Sequence, residues 1–391
     1  MKHSAVIIGL CVIEVVIGVS LARWTDHRRI ETSDFLNFYA AATIVSSGHG
    51  HELYNPVTQQ DALQNILGRR VAEFYLHPPF EAAALVPFTW LRIETAFVAW
   101  TVFNLALLGV LPLILTKTVS LVARKPHLCL LSFVFPPVLA TITLGQDCIL
   151  VLFFLACTYE LLTEGNEFAA GLLLAPATIK FQYVTLVALF LMFLRRSRLL
   201  IGFAVGCVLL ILVSALVVGP RGLIEYAYFV HRFDVHNGYG NISVDRLMNL
   251  RGFLAGLGFS DHLRLYGSLC TASLVLLAFI CSRWAKRNEN LTFSLFVSIA
   301  LLASPYSYFQ DLTILLLPIL LVSDAVWKRQ IIGVNAKLLC LWMGMFFVWP
   351  ATLLWFGGHY FWNSRIYLVV PLVLLFTVNL GVELFLTKEN S

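Results

Sequence analysis

Residues 199–219, LLIGFAVGCVLLILVSALVVG, contain no charged side chain. At about 1.5 Å of rise per residue, a helix over them is as long as the ~30 Å hydrocarbon core of a bilayer is thick. A helix apolar on every face belongs in a large core or in lipid, so this stretch reads as a membrane span. Working outward, further apolar runs lie at about 4–22, 94–116, 127–144, 147–163, 168–179, 182–194, 263–282, 291–304, 308–323, 334–356 and 366–386.

Composition agrees. Hydrophobic residues make up 59% of the 391 and charged residues 13%, about half the ~25% charge of a soluble domain, which excludes a water-soluble fold. The spacing predicts an all-α polytopic membrane protein of about 10–12 helices, forming one membrane-embedded domain over residues 1–391. The run Ser4–Ala22 resembles a signal sequence but is long enough to span and lacks a convincing cleavage site, so it is read as the first transmembrane helix. All eight cysteines fall within or at the ends of apolar runs without a CxxC pair, which points to neither a disulfide framework nor zinc.

The net charge of +5 is spread over small clusters between the apolar runs, a pattern that signals membrane topology rather than nucleic acid. Lys2, Lys117 with Arg124 and Lys125, Arg195 with Arg196 and Arg198, Arg283 with Lys286 and Arg287, and Lys328 with Arg329 all fall on one side if the runs alternate. Taking that side as cytoplasmic places both termini inside. The opposite face then receives residues 23–93, the Gly145-Gln146-Asp147 turn, a Lys180 turn, the loop 220–262, a Tyr306 turn and residues 357–365. Several apolar runs are shorter than a full span and pair around Lys180 and around Ser304-Pro305-Tyr306, which predicts hairpins whose turns face a cavity.

The polar residues of that face are the candidates for chemistry. Ser33–Ser46 reads as an amphipathic interfacial helix capped by Thr32 or Ser33, with Asp34 in its first turn and Tyr39 loosely flanking the same face. Asp34 suits a general base on an acceptor hydroxyl, or simply a carboxylate favoured by the helix dipole. Tyr54-Asn55-Pro56 ends a turn and starts a helix, and Pro78 and Pro79 suit the entry of another, with Glu81 either a dipole partner or a site residue. His49, His51 and Glu52 lack a further metal ligand. Gln146 and Asp147 open the run 147–163. Lys180, between two short apolar arms, must snorkel or meet a partner, and an anionic phosphate would satisfy it. Loop 220–262 adds His231, Arg232, Asp234, His236, Asp245, Arg246 and Arg251, read as mostly solvated, with one or two able to hold a lipid phosphate. Tyr306 is placed to stack on a sugar or to join an interfacial aromatic belt, and Asp311 is either a helix-end carboxylate or a second site acid.

Taken in order, the blocks SDFLNFYAAA (33–42), GHGHELYNP (48–56), YLHPPFEAAALVPFTWL (75–91), LGQDCILVLFFL (144–155), AGLLLAPATIKFQ (170–182), MNLRG (248–252) and SPYSYFQDLTILLLP (304–318) resemble glycosyltransferase family 87. That family contains the polyprenol-phosphate-mannose-dependent α-1,2-mannosyltransferases and bacterial relatives. The resemblance implies a GT-C-type transmembrane bundle whose long first extracytoplasmic loop, here 23–93, carries the catalytic acid. It further implies that Asp34 deprotonates an acceptor hydroxyl, which attacks a polyprenyl-phosphate sugar with inversion.

On the same footing Tyr39, Tyr54, His77, Gln146, Lys180, Arg246, Arg251, Tyr306 and Asp311 are the substrate-binding candidates, with Lys180 and Arg251 placed to meet the leaving phosphate. The implied partners are a polyprenyl-phosphate sugar, a lipid or glycan acceptor and membrane lipids, with no metal or other cofactor. The implied location is a bacterial plasma (inner) membrane, with the site facing the periplasm or cell exterior. Two features depart from the family pattern. Gln310 and Asp311 stand where actinobacterial members carry a His-rich stretch, and Asp34 has only Glu31 as a near acidic neighbour. The competing reading is a transporter or flippase of a lipid or solute, against which the absence of an evident inverted repeat weighs. A non-catalytic partner in cell-envelope assembly has no positive sequence signal.

Overall fold

The computed structural model describes residues 30–69, 73–236, 244, 247–259, 263–283, 288–356 and 369–386. The run 4–22, Arg246 and the segment 357–365 lie outside them. The described residues form helices without strands, as the apolar patterning predicts. The chain divides into two compact units, interleaved in sequence.

The first unit comprises residues 1–106, 141–147 and 208–242. Helix α1 (Phe35–Ser46) packs on α2 (Pro56–Leu67), α3 (Pro79–Leu85) and a 3-10 turn at Val86–Trp90. Residue chemistry sets the ends of α2. The Asn55 side chain accepts from the Val57 N–H, Pro56 occupies the first turn and Gly68 closes the helix at φ 74°. Helix α1 differs from the interfacial helix expected. Its N-cap is Asp34 rather than Thr32 or Ser33, and Phe35, Leu36, Phe38, Ala40, Ala41, Ala42 and Ile44 are all buried. Alanines let neighbouring elements approach on more than one side, so α1 is a core helix of this unit. The one-sided helix of the region is α2, which buries only Gln59 and Leu63.

Helix α4 (Ile93–Leu115) begins in this unit and supplies Phe97 and Trp100, whose rings pack on Phe35. The loop expected at 220–262 also begins differently. After Gly219, which has φ 73° and ψ 168°, the chain resumes helix from Pro220 to His236, and Tyr226 and Phe229 pack on Tyr54.

The second unit comprises 107–140, 148–207 and 243–391. Its helices, in chain order, include α5 (Ser120–Arg124), α6 (Pro136–Leu144), α7 (Cys148–Thr163), α8 (Glu167–Leu174), α9 (Phe181–Phe193), α10 (Ser197–His236), α11 (Leu250–Gly256), α12 (Leu263–Ser282), α13 (Glu289–Ala303), α14 (Leu316–Trp327), α15 (Gly333–Phe356) and α16 (Val369–Leu386); α6 and α10 also run into the first unit. Every residue of α13 from Leu291 to Ala303 is buried, so it is the central helix around which α9, α12, α14 and α16 pack.

Helices α8 and α10 approach until their backbones touch. A Cβ on Gly171 would lie 1.9 Å from the Leu199 carbonyl, and one on Gly202 would lie 2.1 Å from that of Phe168. Gly202 and Gly206 form the small-xxx-small spacing that permits such approach in lipid.

Among the described residues, six stretches are long and apolar enough to cross a bilayer, or seven counting the 58° bend between Pro126–Val134 and Pro136–Leu144. One of the six, Glu167–Phe193, does not cross as a single rod. Arg196 Nη1 lies 2.8 Å from Glu167 Oε1, whereas a straight helix of that length would part them by roughly 40 Å. Residues 167–196 are therefore a hairpin, with the 3-10 segment Ala175–Lys180 at its turn.

The open end of the hairpin joins a network of ion pairs. Lys117 Nζ lies 2.6 Å from Glu164, Lys328 Nζ lies 2.6 Å from the buried Asp324, and Thr118 donates to Glu160. Lys117, Arg196 and Lys328, from three clusters that the charge pattern assigns to one side, are thus gathered at one end of this unit. Lys180 sits at the other.

Candidate active site

Asp34 occupies the N-cap position of α1, yet its side chain makes no cap hydrogen bond. Its backbone N–H donates to the Leu144 carbonyl at 2.9 Å, and the Gln146 side-chain amide donates to its Oδ2 at 2.7 Å. A half-buried carboxylate is thereby held by a neutral donor from the Gly145-Gln146-Asp147 turn. That turn has little freedom. Gly145 takes φ 67°, its carbonyl accepts from Trp100 Nε1 at 2.8 Å, and a Cβ there would stand 2.6 Å from the Phe35 Cβ.

Beside Gln146, Asp147 is wholly buried. His77 Nδ1 lies 3.2 Å from Asp147 Oδ2 and 2.9 Å from Glu81 Oε2. Burial works against the imidazolium, but the carboxylates of Glu81 and Asp147 outweigh it and push the His77 pKa up to about 10. Burial likewise raises the Glu81 carboxyl above its ordinary range, opposed by the charge of His77. Tyr75 donates to Glu81 at 3.0 Å, and Tyr54 donates to the His77 carbonyl at 2.7 Å. Burial and then the Glu81 charge lift the Tyr75 phenol well above its usual value, so it remains a donor. Phe38 closes over the His77 ring at 4.9 Å between centroids.

His77, Glu81 and Asp147 are the one group among the described residues whose ligand atoms, all within 4.8 Å of one another, have the chemistry to hold a divalent cation. His49 and His51 are exposed on their turn with rings 6.4 Å apart.

Four of the residues singled out in the sequence therefore come together in this unit: Asp34, Gln146, His77 and Tyr54. Tyr39 turns elsewhere, its hydroxyl donating to the Leu91 carbonyl at 2.8 Å. Asp147 and Tyr75 join the group that the sequence predicts, and Glu81 stands both in the first turn of α3 and against His77. The legible signal for Glu81 is its four-residue step from His77.

Four more candidates gather in the second unit. Lys180 Nζ lies 3.0 Å from Asp311 Oδ1, and both side chains are buried. The partner left open for that lysine thus includes an internal carboxylate. Cys148 Sγ donates to the same Asp311 oxygen at 3.3 Å, and Oδ2 accepts from the Tyr308 N–H at 2.7 Å. The Arg251 guanidinium lies over the Tyr306 ring at 5.6 Å. Tyr183 donates to the Tyr306 carbonyl at 2.7 Å, and Asn249, which also caps α11, donates to the Ser304 carbonyl at 2.8 Å. Asn249 is another addition. Its signal in the sequence is its place one residue before an apolar helix that it caps.

Comparison with known protein families matches residues 75–305 to the family described as Glycosyltransferase family 87. The matched region contains His77, Glu81, Gln146, Asp147, Lys180 and Arg251, whereas Asp34, Tyr39, Tyr54, Tyr306 and Asp311 lie outside it. No curated protein and no solved structure matches the chain.

Proposed function

From the premise that the chain belongs to glycosyltransferase family 87 and is a multi-pass membrane glycosyltransferase, we propose that it transfers a hexose, with mannose the first to try, from a polyprenyl phosphate to a lipid or glycan acceptor. Asp34 is the general base. The observation that carries this role is the 2.7 Å bond from Gln146, which aims a half-buried carboxylate that does not cap its own helix. The acceptor hydroxyl gives its proton to Asp34 as its oxygen attacks the anomeric carbon. The bond from that carbon to the phosphate oxygen breaks, and the polyprenyl phosphate leaves from the opposite face, which inverts the centre.

Charge develops on the leaving phosphate, so a cation must meet it. Lys180 and Arg251 are the candidates for that role; both lie in the second unit, Lys180 against Asp311 and Arg251 over the Tyr306 ring. In the first unit the raised pKa of His77 between Glu81 and Asp147 supports a reading in which its imidazolium, rather than a metal, balances the two carboxylates. By the distribution of Lys and Arg, the Lys180 and Asp34 clusters face the extracytoplasmic side of a bacterial plasma membrane.

The test is transfer by purified protein in nanodiscs, offering polyprenyl-phosphate sugars and, separately, nucleotide sugars, with extracted membrane lipids as acceptors. Asp34→Asn is expected to lower kcat by about 10²- to 10⁴-fold, the usual worth of a positioned base. Wild-type turnover in that variant overturns the role of Asp34, and transfer from nucleotide sugars alone overturns the donor.

A further inference from the structure

The ion-paired end of the second unit holds a feature that glycosyl transfer at the Lys180 and Asp34 clusters leaves unused. Between α7, α9, α12 and α13 lies a cavity of about 650 Å³, within the ~300–1,000 Å³ range of small-molecule sites. One part of its wall is apolar, built from Leu162, Leu191, Phe193, Phe293 and Phe296.

The charged lining is mostly basic, with Arg195, Arg196 and Arg283 against the carboxylate of Glu289. Arg196 is divided between Glu167 and that same Glu289. Arg195 and Arg283 are exposed, and the Arg283 guanidinium lies over the Phe279 ring at 5.5 Å. Three guanidinium groups against the carboxylates of Glu289 and Glu167 leave one positive charge to be balanced by whatever enters.

The apolar wall decides what sort of anion fits. Leu276, Phe279 and Ile280 on α12, just before Ser282 and Arg283 of the cavity, are exposed at 56%, 40% and 40%. In a membrane span such a face meets acyl chains, so lipid-facing surface runs into the basic rim. A free phosphate would leave the half-buried side chains of Leu162, Phe193 and Leu194 uncovered. An amphiphile covers both parts.

We propose that this cavity is a binding site for an anionic phospholipid of the bordering leaflet. The phosphate sits on Arg195 and Arg283, and the glycerol and upper acyl chain lie against Phe193 and Leu194. Basic pockets between transmembrane helices hold lipid headgroups through the same chemistry. The site stands apart from the proposed catalysis, so either reading can fail without the other.

The experiment uses the full chain in zwitterionic detergent, titrated with phosphatidylglycerol, phosphatidylcholine or inorganic phosphate and read by native mass spectrometry and thermal unfolding. Wild type is expected to retain phosphatidylglycerol and to unfold at a higher temperature with it, and to respond to neither of the other two. The doubly substituted Arg195→Gln/Arg283→Gln protein is expected to keep the unliganded unfolding temperature and to bind phosphatidylglycerol roughly tenfold more weakly, a conservative figure for losing two charge-assisted contacts. Arg195→Lys/Arg283→Lys is expected to restore most of the binding. Equal phosphatidylglycerol binding by wild type and the glutamine variant overturns the site, and equal stabilisation by inorganic phosphate overturns the lipid as its ligand.

Discussion

The side-chain amide of Gln146 donates to the carboxylate of Asp34 at 2.7 Å across 112 positions of sequence. The bond fixes which way the carboxylate points, so Gln146→Ala should leave Asp34 in place but loosely aimed. A loss of roughly 10- to 100-fold in kcat with little change in KM is expected, in line with the cost of small misplacements. Steady-state kinetics on a lipid-linked donor check this, and an unchanged kcat rejects the positioning role.

His77 makes the stability of the first unit depend on pH. Its pKa rises from 6.5 in the unfolded chain to about 10 in the fold, so its contribution is complete below about pH 6.5 and is lost as pH climbs through about 10. Glu81 is shifted in the same direction. The unfolding temperature should therefore fall between pH 7 and pH 10, at ~2–4 °C for each kcal/mol lost. His77→Gln should flatten that slope in a pH series of thermal melts.

If the imidazolium is the cation between Glu81 and Asp147, a chelator has nothing to remove. Transfer by protein treated with EDTA should match the untreated rate and gain nothing from added manganese or magnesium. Loss on chelation with recovery on adding metal would convert the three side chains into ligands.

Lys180 and Asp311 form a buried pair, and removing one partner strands the other. Lys180→Met or Asp311→Asn alone should cost about 3–5 kcal/mol, whereas the double substitution to Met and Leu should recover much of it. Unfolding measured for all four members of the cycle gives the coupling. A single variant as stable as wild type would show that the pair is not the lysine's main support.

Gly145 has neither room nor torsional freedom for a side chain. With φ at 67° and the Phe35 Cβ 2.6 Å from where its own Cβ would stand, Gly145→Ala should destabilise by about 2–4 kcal/mol from strain and overpacking. It should also shift Gln146 and lower activity. A melt identical to wild type would contradict this.

Much of the fold is legible in the sequence because lipid imposes a simple rule. The uncharged run 199–219, the Asn55-Pro56 helix start and the short arms around Lys180 all follow from length, capping and charge. Helix α1 is not, because a row of alanines reads as a mildly apolar surface until its neighbours are known. The site is legible in part. Asp34, His77, Gln146, Lys180 and Arg251 stand out as polar groups in apolar surroundings. The joining of His77 to Asp147, or of Lys180 to Asp311, brings together residues far apart in the chain, and local spacing carries no trace of such meetings. Glu81, four residues after His77, is the member of the group with a local signal.

The hairpin of residues 167–196 bears on how the protein is made. Its helices α8 and α9 hold 8 and 13 residues, each short of the ~20 that partition into a bilayer unaided. Its turn carries a lysine, which is costly to leave in hydrocarbon. Neither arm is a good client for insertion by itself, and Asp311 is synthesised more than a hundred residues later. The segment must therefore wait at the membrane surface, or inside the insertion machinery, until the second half of the chain arrives to receive it. Assembly of this protein is on that account a late event, and truncation before Asp311 should send the nascent chain to quality control rather than to a partly working enzyme.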